Sequence, residues 1–352
     1  MDTKRVVFFT LISTVAYVLM SASISPRVPS ETALWHIKAI HPDGKFLDVK
    51  AFDPDGNAFD VKALELNDNR HVMDIKALVG VHKDIMLPVK VLYSNEALAP
   101  VKAIGEDGTI YDIKAITRDN YKLDVKGVGH SGNIIHIKAI SQYGMLFGVK
   151  AIAPSGRLHD VKGIKMIDFP VEGVVNGVEI HAHVKALPPA IHMEGEPIWN
   201  VHAIHQSGVS FPIKAFDDAG NMCDVKAYYE NGNAHMLDIR ALINGKKLPV
   251  AILAEADDFA SVKAIGEDGS VYDIKALTPD NQLMDILGAS LAGNIIHVKA
   301  SDSEGVFHGV KAISPSGQLY DIKGIKMSKE VVEGKISGVR VRAYVKALPQ
   351  VY

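Results

Sequence analysis

Cysteine is nearly missing from this chain. Of 352 residues only Cys223 carries a thiol, so no disulfide can form within the chain and a disulfide-stapled fold is excluded. Beside Met222 and Asp224, that lone residue reads as a small packing group on a strand and not as a reactive thiol. Aromatics are scarce at 7%, which leaves little material for the aromatic girdles of a membrane barrel. Charge of one sign is missing too: a formal net charge of −3 gives no field that would gather nucleic acid. After residue 25 there is no long apolar run and no helical periodicity. G-x-S-x-G, P-loop, dinucleotide and H-E-x-x-H patterns are absent as well, which removes the commonest hydrolase, kinase and metalloprotease signatures. No cofactor is implied.

Residues 1–25 differ from all that follows. Lys4-Arg5 precede an apolar run from Val6 to Met20, and Ser21-Ala22-Ser23 come next. This is the three-part pattern of a secretory signal, so the mature chain is expected to begin between Ala22 and Pro26. The run is short for a spanning helix, and no membrane span is expected in the mature chain. The expected location is the periplasm, the cell surface or the extracellular space.

What is abundant is one phrase. Its cleanest copy is Tyr111-Asp112-Ile113-Lys114-Ala115-Ile116, and its lysine recurs every twelve residues from Lys90 through Lys102, Lys114, Lys126, Lys138 and Lys150 to Lys162. A second run holds Lys263, Lys275, Lys299, Lys311 and Lys323, with Leu287 in the vacant slot. Within a phrase, Leu47, Val49 and Ala51 alternate with Asp48 and Lys50, a period of two that predicts strands. Pro54-Asp55-Gly56 between phrases predicts a three-residue hairpin loop closed by a glycine with positive φ. Centred on Asp55, that loop sets Lys50 opposite Asp60 and Asp48 opposite Lys62; centred on Asp119, it sets Lys114 opposite Asp124 and Asp112 opposite Lys126. A parallel solenoid would stack Asp on Asp and Lys on Lys, which is unfavourable.

The array is duplicated. Trp35 aligns with Trp199, GEDGTIYDIKAI at 105–116 with GEDGSVYDIKAL at 266–277, and VKALPP with VKALPQ. Modules are therefore expected at 35–189 and 199–350, joined by a linker at 190–198. Each ends in a different hairpin, turning at Asn176-Gly177 or Ser337-Gly338, that reads as a closing element. The fold class is all-β: tandem 12-residue antiparallel β-hairpin repeats forming two duplicated, curled or closed meander modules. A β-propeller is the second choice, disfavoured because no four-strand superperiod is visible.

Chemistry is thinly marked, because most carboxylates belong to the repeating Asp-x-Lys. The pattern fails in one place per copy, where His136 and Gly148, and again His297 and Gly309, occupy acid slots. That leaves Lys126, Lys138, Lys150 and Lys162 underpaired around His136, and Lys299, Lys311 and Lys323 around His297. Free lysines suit an anion such as phosphate, sulfate or uronate; drift of weak surface ion pairs gives the same pattern. His181 and His183 share a strand face at a spacing that can seat zinc, though Arg342 and Tyr344 replace them in the second copy, which favours packing. Pro88 and Pro100 mark a sheet edge or bulge. The leading reading is an exported, non-catalytic binding or scaffold protein, its partner an anionic polysaccharide or other cell-surface component. A glycan-active hydrolase or lyase is the alternative, and an outer-membrane β-barrel the third.

Overall fold

The computed structural model describes residues 32–190, 198–229, 232–255 and 259–351. The expected signal at 1–25 and most of the expected linker lie outside the described residues. Among those described there is no helix, and the strands form two antiparallel sheets of thirteen, one per repeat copy.

In the first module the strands are β1 (Ala33–Ile40), β2 (Phe46–Phe52), β3 (Ala58–Glu65), β4 (Met73–Val79), β5 (Ile85–Leu92) and β6 (Ala99–Ile104). They continue as β7 (Ile110–Ile116), β8 (Lys122–Ser131), β9 (Ile134–Ile140), β10 (Leu146–Ile152), β11 (Leu158–Ile164), β12 (Gly173–Val175) and β13 (Val178–Leu187). The second module begins with β14 (Ile198–Ile204), β15 (Ser210–Phe216), β16 (Met222–Tyr228), β17 (Leu237–Ile243), β18 (Lys246–Leu253) and β19 (Ala260–Ile265). Its remaining strands are β20 (Val271–Leu277), β21 (Leu283–Ala292), β22 (Ile295–Ser301), β23 (Phe307–Ile313), β24 (Leu319–Ile325), β25 (Gly334–Ile336) and β26 (Val339–Pro349).

One repeat explains the rest. Lys50, Ala51 and Phe52 of β2 pair with Asp60, Phe59 and Ala58 of β3. The loop between them is the expected Pro54-Asp55-Gly56, with Gly56 at φ 88° and its N–H donated to the Asp53 carbonyl. Asn120 takes the same left-handed position in its own turn, at φ 60°. The hairpin ladder then stops. On the same side of β2, Phe46, Leu47 and Asp48 pair with β1 instead, setting Asp48 opposite Lys38. Strand β1 also pairs with β3, with His36 opposite Lys62, so three consecutive strands close a triangle.

Four such triangles, or corners, make a module: β1–β2–β3, β6–β7–β8, β9–β10–β11 and β4–β5–β13. The free side of every strand pairs with a strand of another corner, through β1–β10, β2–β7, β3–β4, β5–β6, β8–β9 and β11–β13. Each corner thus meets each other corner along one ridge, the connectivity of a tetrahedron. Both sides of all twelve long strands are used, so none of these strands offers an open edge for aggregation. The second module repeats every one of these pairings. The closed-shell expectation holds, and nothing resembles separate propeller blades.

The register expectation needs correction. Lys50–Asp60 and Lys114–Asp124 are opposed as expected. Asp48–Lys62 and Asp112–Lys126 are not, because each ladder ends after three residues and the acid turns to the preceding strand, to Lys38 or Lys102. Nor do acids separate all lysines. Every ridge of the first module sets lysine opposite lysine: Lys38–Lys150, Lys50–Lys114, Lys62–Lys76, Lys90–Lys102, Lys126–Lys138 and Lys162–Lys185.

Inside, the alternation works as read. Leu47, Val49 and Ala51 are buried while Asp48 is exposed. Glycine replaces the phrase alanine where walls converge: a Cβ on Gly163 would sit 3.1 Å from Ile135 and from Val91. The prolines mark no sheet edge. Pro88 and Pro100 face Lys76 and Lys126 inside corners. There one side of a strand passes from one partner to the next, so a missing N–H interrupts no continuous ladder. The closing hairpin turns at Asn176 (φ 49°) and Gly177 (φ 82°) as expected, but β13 is the twelfth wall of the shell and not a cap over it.

Candidate functional site

A corner brings together three X-x-Lys phrases, and its chemistry depends on what fills X. In the corner β9–β10–β11 these residues are His136, Gly148 and Asp160. Lys150 pairs with Asp160, Lys162 Nζ donates to His136 Nδ1 at 3.1 Å, and Lys138 lies opposite Gly148. Lys126 faces Lys138 across the ridge to β8. The structure thus gathers all five residues of the expected anion patch. In the second module His297, Lys299, Lys311 and Lys323 are arranged alike, with Lys323 Nζ 2.9 Å from His297 Nδ1 and Lys311 paired with Asp321.

The other module reaches the aspartate of each of these corners. His235 Nε2 lies 2.8 Å from Asp160 Oδ2, and His71 Nε2 lies 3.0 Å from Asp321 Oδ2. The two contacts are related as a two-fold pair. Each histidine rides on a loop built by an asparagine: Asn69 Oδ1 accepts the N–H groups of His71 and Val72, and Asn233 Oδ1 those of His235 and Met236. His159 donates to the Arg70 carbonyl at 2.6 Å, and the Tyr320 hydroxyl to the Ala234 carbonyl at 2.8 Å, so each module holds its own loop in place. Under the loops lies a buried cluster drawn from both modules, with Val72, Ile134, Ile164 and Leu187 against Met236, Ile295, Ile325 and Leu348.

Electrostatics follow from this burial. His136 is held below the ordinary imidazole range by burial and then by Lys162 and Lys138; His297 is pushed down to about 4 by burial and then by Lys323 and Lys299. Burial raises the Asp160 carboxyl, but hydrogen bonds from His235 and Lys150 outweigh it and hold the group below the usual carboxylate range. Asp321 behaves alike with His71 and Lys311. These neutral histidines and fixed carboxylates describe a seam between modules.

His181 and His183 are engaged by different partners. His181 Nδ1 meets the Pro170 carbonyl at 2.5 Å, while His183 Nδ1 accepts from Lys90 Nζ at 2.5 Å. Burial, then Lys90 and Lys185, push His183 down to about 2. Among the described residues no group of three or more His, Cys, Asp or Glu side chains could hold a metal ion.

A different feature is shaped to receive a ligand. On the first module an open groove of about 660 Å³ runs between the turns at His41, Glu96–Leu98, Thr117–Tyr121 and Ser141–Met145. Its floor includes the buried Phe147, against which His41 packs at 5.0 Å between ring centroids. On its rim stand Tyr121 and Tyr143, 66% and 80% exposed. Lys126, from the expected patch, forms part of its wall and lies 3.4 Å from Glu96. The second module carries Gln282, Glu304, Val306 and Leu287 where the first has Tyr121, Tyr143, Met145 and Lys126. There Phe259 packs on Phe307 at 5.4 Å, in the places of Leu98 and Leu146. The sequence signal for the groove was the pair of loop tyrosines with no counterpart in the second copy. For the seam it was the spacing of fourteen from Lys62 to Lys76, two more than the twelve that separates the lysines from Lys90 to Lys162.

No curated protein matches the chain, and no solved structure does. A family model described as "Family of unknown function (DUF7486)" matches residues 31–187 and again 196–348. The chain belongs to that family and carries two copies of its domain in tandem.

Proposed function

We propose that the protein is an exported, non-catalytic binding protein whose first module holds a short, weakly charged glycan in the Tyr121–Tyr143 groove. The observation that carries this reading is the groove itself: an apolar floor, two exposed tyrosines on the rim, and a few polar groups between them. Tyrosine faces offer rigid, amphipathic surface to the C–H faces of sugar rings, while Thr117, Ser141 and Lys126 supply hydrogen bonds that fix orientation. The groove mixes Lys122 and Lys126 with Glu96 and Asp124, so its charge is near balance and a densely anionic polymer is not what it fits best. Export rests on Lys4-Arg5 and the apolar run after them. The hydrolase alternative would use Glu96 and Asp124. Each is already engaged by a lysine, Lys126 or Lys114, which favours a structural role over proton transfer. Outward strand positions carry Lys and Asp, where a membrane barrel presents apolar side chains to lipid.

The test is calorimetric titration of the mature chain with a panel of neutral and uronic-acid oligosaccharides. Tyr121→Ala with Tyr143→Ala should weaken binding at least tenfold and leave the unfolding midpoint nearly unchanged, because both side chains are exposed. Equal binding by the double variant, or no binding by the parent, defeats the reading. Release of new reducing ends during the titration would move the assignment to the hydrolase.

A further inference from the structure

Where the two modules meet, a second cleft of about 380 Å³ is lined from both sides. The first module contributes Asp74, Lys76 and Lys185 from the corner β4–β5–β13, and the second contributes Asn294, Lys326 and Lys329. That corner is unusual in its X residues, which are Asp74, Pro88 and His183. One carboxylate therefore serves the three lysines Lys76, Lys90 and Lys185. Lys185, only 3% exposed, takes it as an ion pair. Lys90 turns to the neutral His183. Lys326 donates to the backbone carbonyls of Glu330 and Arg342, with the Glu333 carboxylate acting on it from nearby. Lys76 and Lys329 have no carboxylate within ion-pair distance among the described residues. Burial, and the nearby charges of Lys185 and Lys329, push the Lys76 ammonium below its ordinary range even with Asp74 pulling the other way.

The two-fold related cleft shows that this imbalance is not a requirement of the fold. There Asp238 is held by Lys346 and Arg240 at 2.5 and 2.7 Å. The counterpart of Lys90 is Ala251, and the counterpart of Lys329 is Asp168, which lines that cleft with Asp238. The same geometry is thus close to neutral on one side of the seam and carries four lysines against one aspartate on the other.

We propose that the Lys76–Lys185–Lys329 cleft binds a tetrahedral oxyanion, the phosphate or sulfate group of a small ligand. An anion seated between Lys76 and Lys329 would relieve the repulsion those ammonium groups now share across the seam. Because both modules build the site, occupancy also fastens one module to the other: a ligand that binds only the closed seam stabilises it by mass action. The site is separate from the glycan groove and stands or falls independently of it.

The experiment uses the full mature chain, with inorganic sulfate and inorganic phosphate as probes and sodium chloride matched in ionic strength. Thermal unfolding should show a saturable rise in midpoint with either oxyanion in the millimolar range and none with chloride. Lys329→Ala, at an exposed position, should fold normally and weaken the apparent affinity at least fivefold; Lys76→Met should do more. Lys335→Ala, in the opposite cleft, should leave it unchanged. A rise that never saturates, or one of equal size in Lys329→Ala, would be the general salting-out effect of sulfate and phosphate and would overturn the proposal. So would equal losses from Lys329→Ala and Lys335→Ala.

Discussion

The two modules share every strand pairing yet solve the same electrostatic problem differently. In the first, all six ridges oppose lysine to lysine. In the second, three keep opposed cations, in Lys214–Lys275, Lys226–Arg240 and Lys323–Lys346. The other three have lost one, as His202–Lys311, Ala251–Lys263 and Leu287–Lys299. Like charges directly opposite are unfavourable by a few tenths of a kcal/mol to about 1 kcal/mol. The corner aspartates offset them, because Lys50, Lys102, Lys114 and Lys150 each reach an acid in their own corner. The shell therefore depends on its buried face for stability, and its outer face is free to diverge. In the first module that freedom left a groove and a lysine-rich cleft; in the second it left a more neutral surface.

The sharpest way to break the comparison is to pull the modules apart. Val72 and Met236 are buried in the seam cluster, at 0% and 1% exposure. An aspartate at either place would bury a carboxylate without a partner, a cost on the order of 3 kcal/mol or more. Val72→Asp together with Met236→Asp should replace one calorimetric transition by two. The lower should belong to the first module, which carries more opposed lysines. Trp35 and Trp199 are single buried reporters, one per module, so Trp→Phe variants assign each transition by fluorescence. A first module that melts last would show that ridge charges do not set the order.

A smaller effect comes from acid. His71, His136, His159 and His297 are all held below the ordinary imidazole range, first by burial. With folded-state values depressed, these groups stay neutral in the shell while the unfolded chain takes up protons near pH 6.5. Stability is thus whole above that pH and falls as pH drops through the window from about 6.5 to 4. Below about 4 the depressed Asp160 and Asp321 add a second loss, as the unfolded carboxyls protonate first. The unfolding midpoint should fall by several degrees between pH 7 and pH 5. Since His71 sits against Asp321 of the opposite module, its exchange for glutamine should lower the midpoint at pH 7 and flatten the slope. An unchanged slope in that variant would place the titration away from the seam.

The sequence made strands, loops and the inward face legible because these are local matters. Alternation sets which side of β2 is buried, and Pro54-Asp55-Gly56 sets the loop. What it concealed was the point at which each ladder stops. Asp48 can meet Lys62 or Lys38 with equal charge logic; only closure of three strands into a corner selects Lys38. The same blindness hid the seam. His136 looks like a surface gap in one dimension, yet the Asp160 of its corner receives His235 from the other module. The groove was hidden for a related reason, since it needs four turns that only the ridges bring side by side.

The finest comparison exchanges a single ridge residue between modules. Lys126 faces Lys138 in the first copy, and its counterpart Leu287 faces Lys299 in the second. Leu287→Lys recreates an opposed lysine pair and should destabilise by about 0.5 kcal/mol. Lys126→Leu removes one and should stabilise by a similar amount, less the small contribution of the exposed Glu96 partner. Both effects are Coulombic between partly exposed groups, so raising salt to 1 M, where the screening length is about 3 Å, should shrink them together. Denaturant melts of the two variants at low and high salt make the measurement. Opposite signs that converge with salt support ridge repulsion as the difference between the modules. Equal signs, or an effect indifferent to salt, would assign it to packing of the leucine side chain along β21 instead.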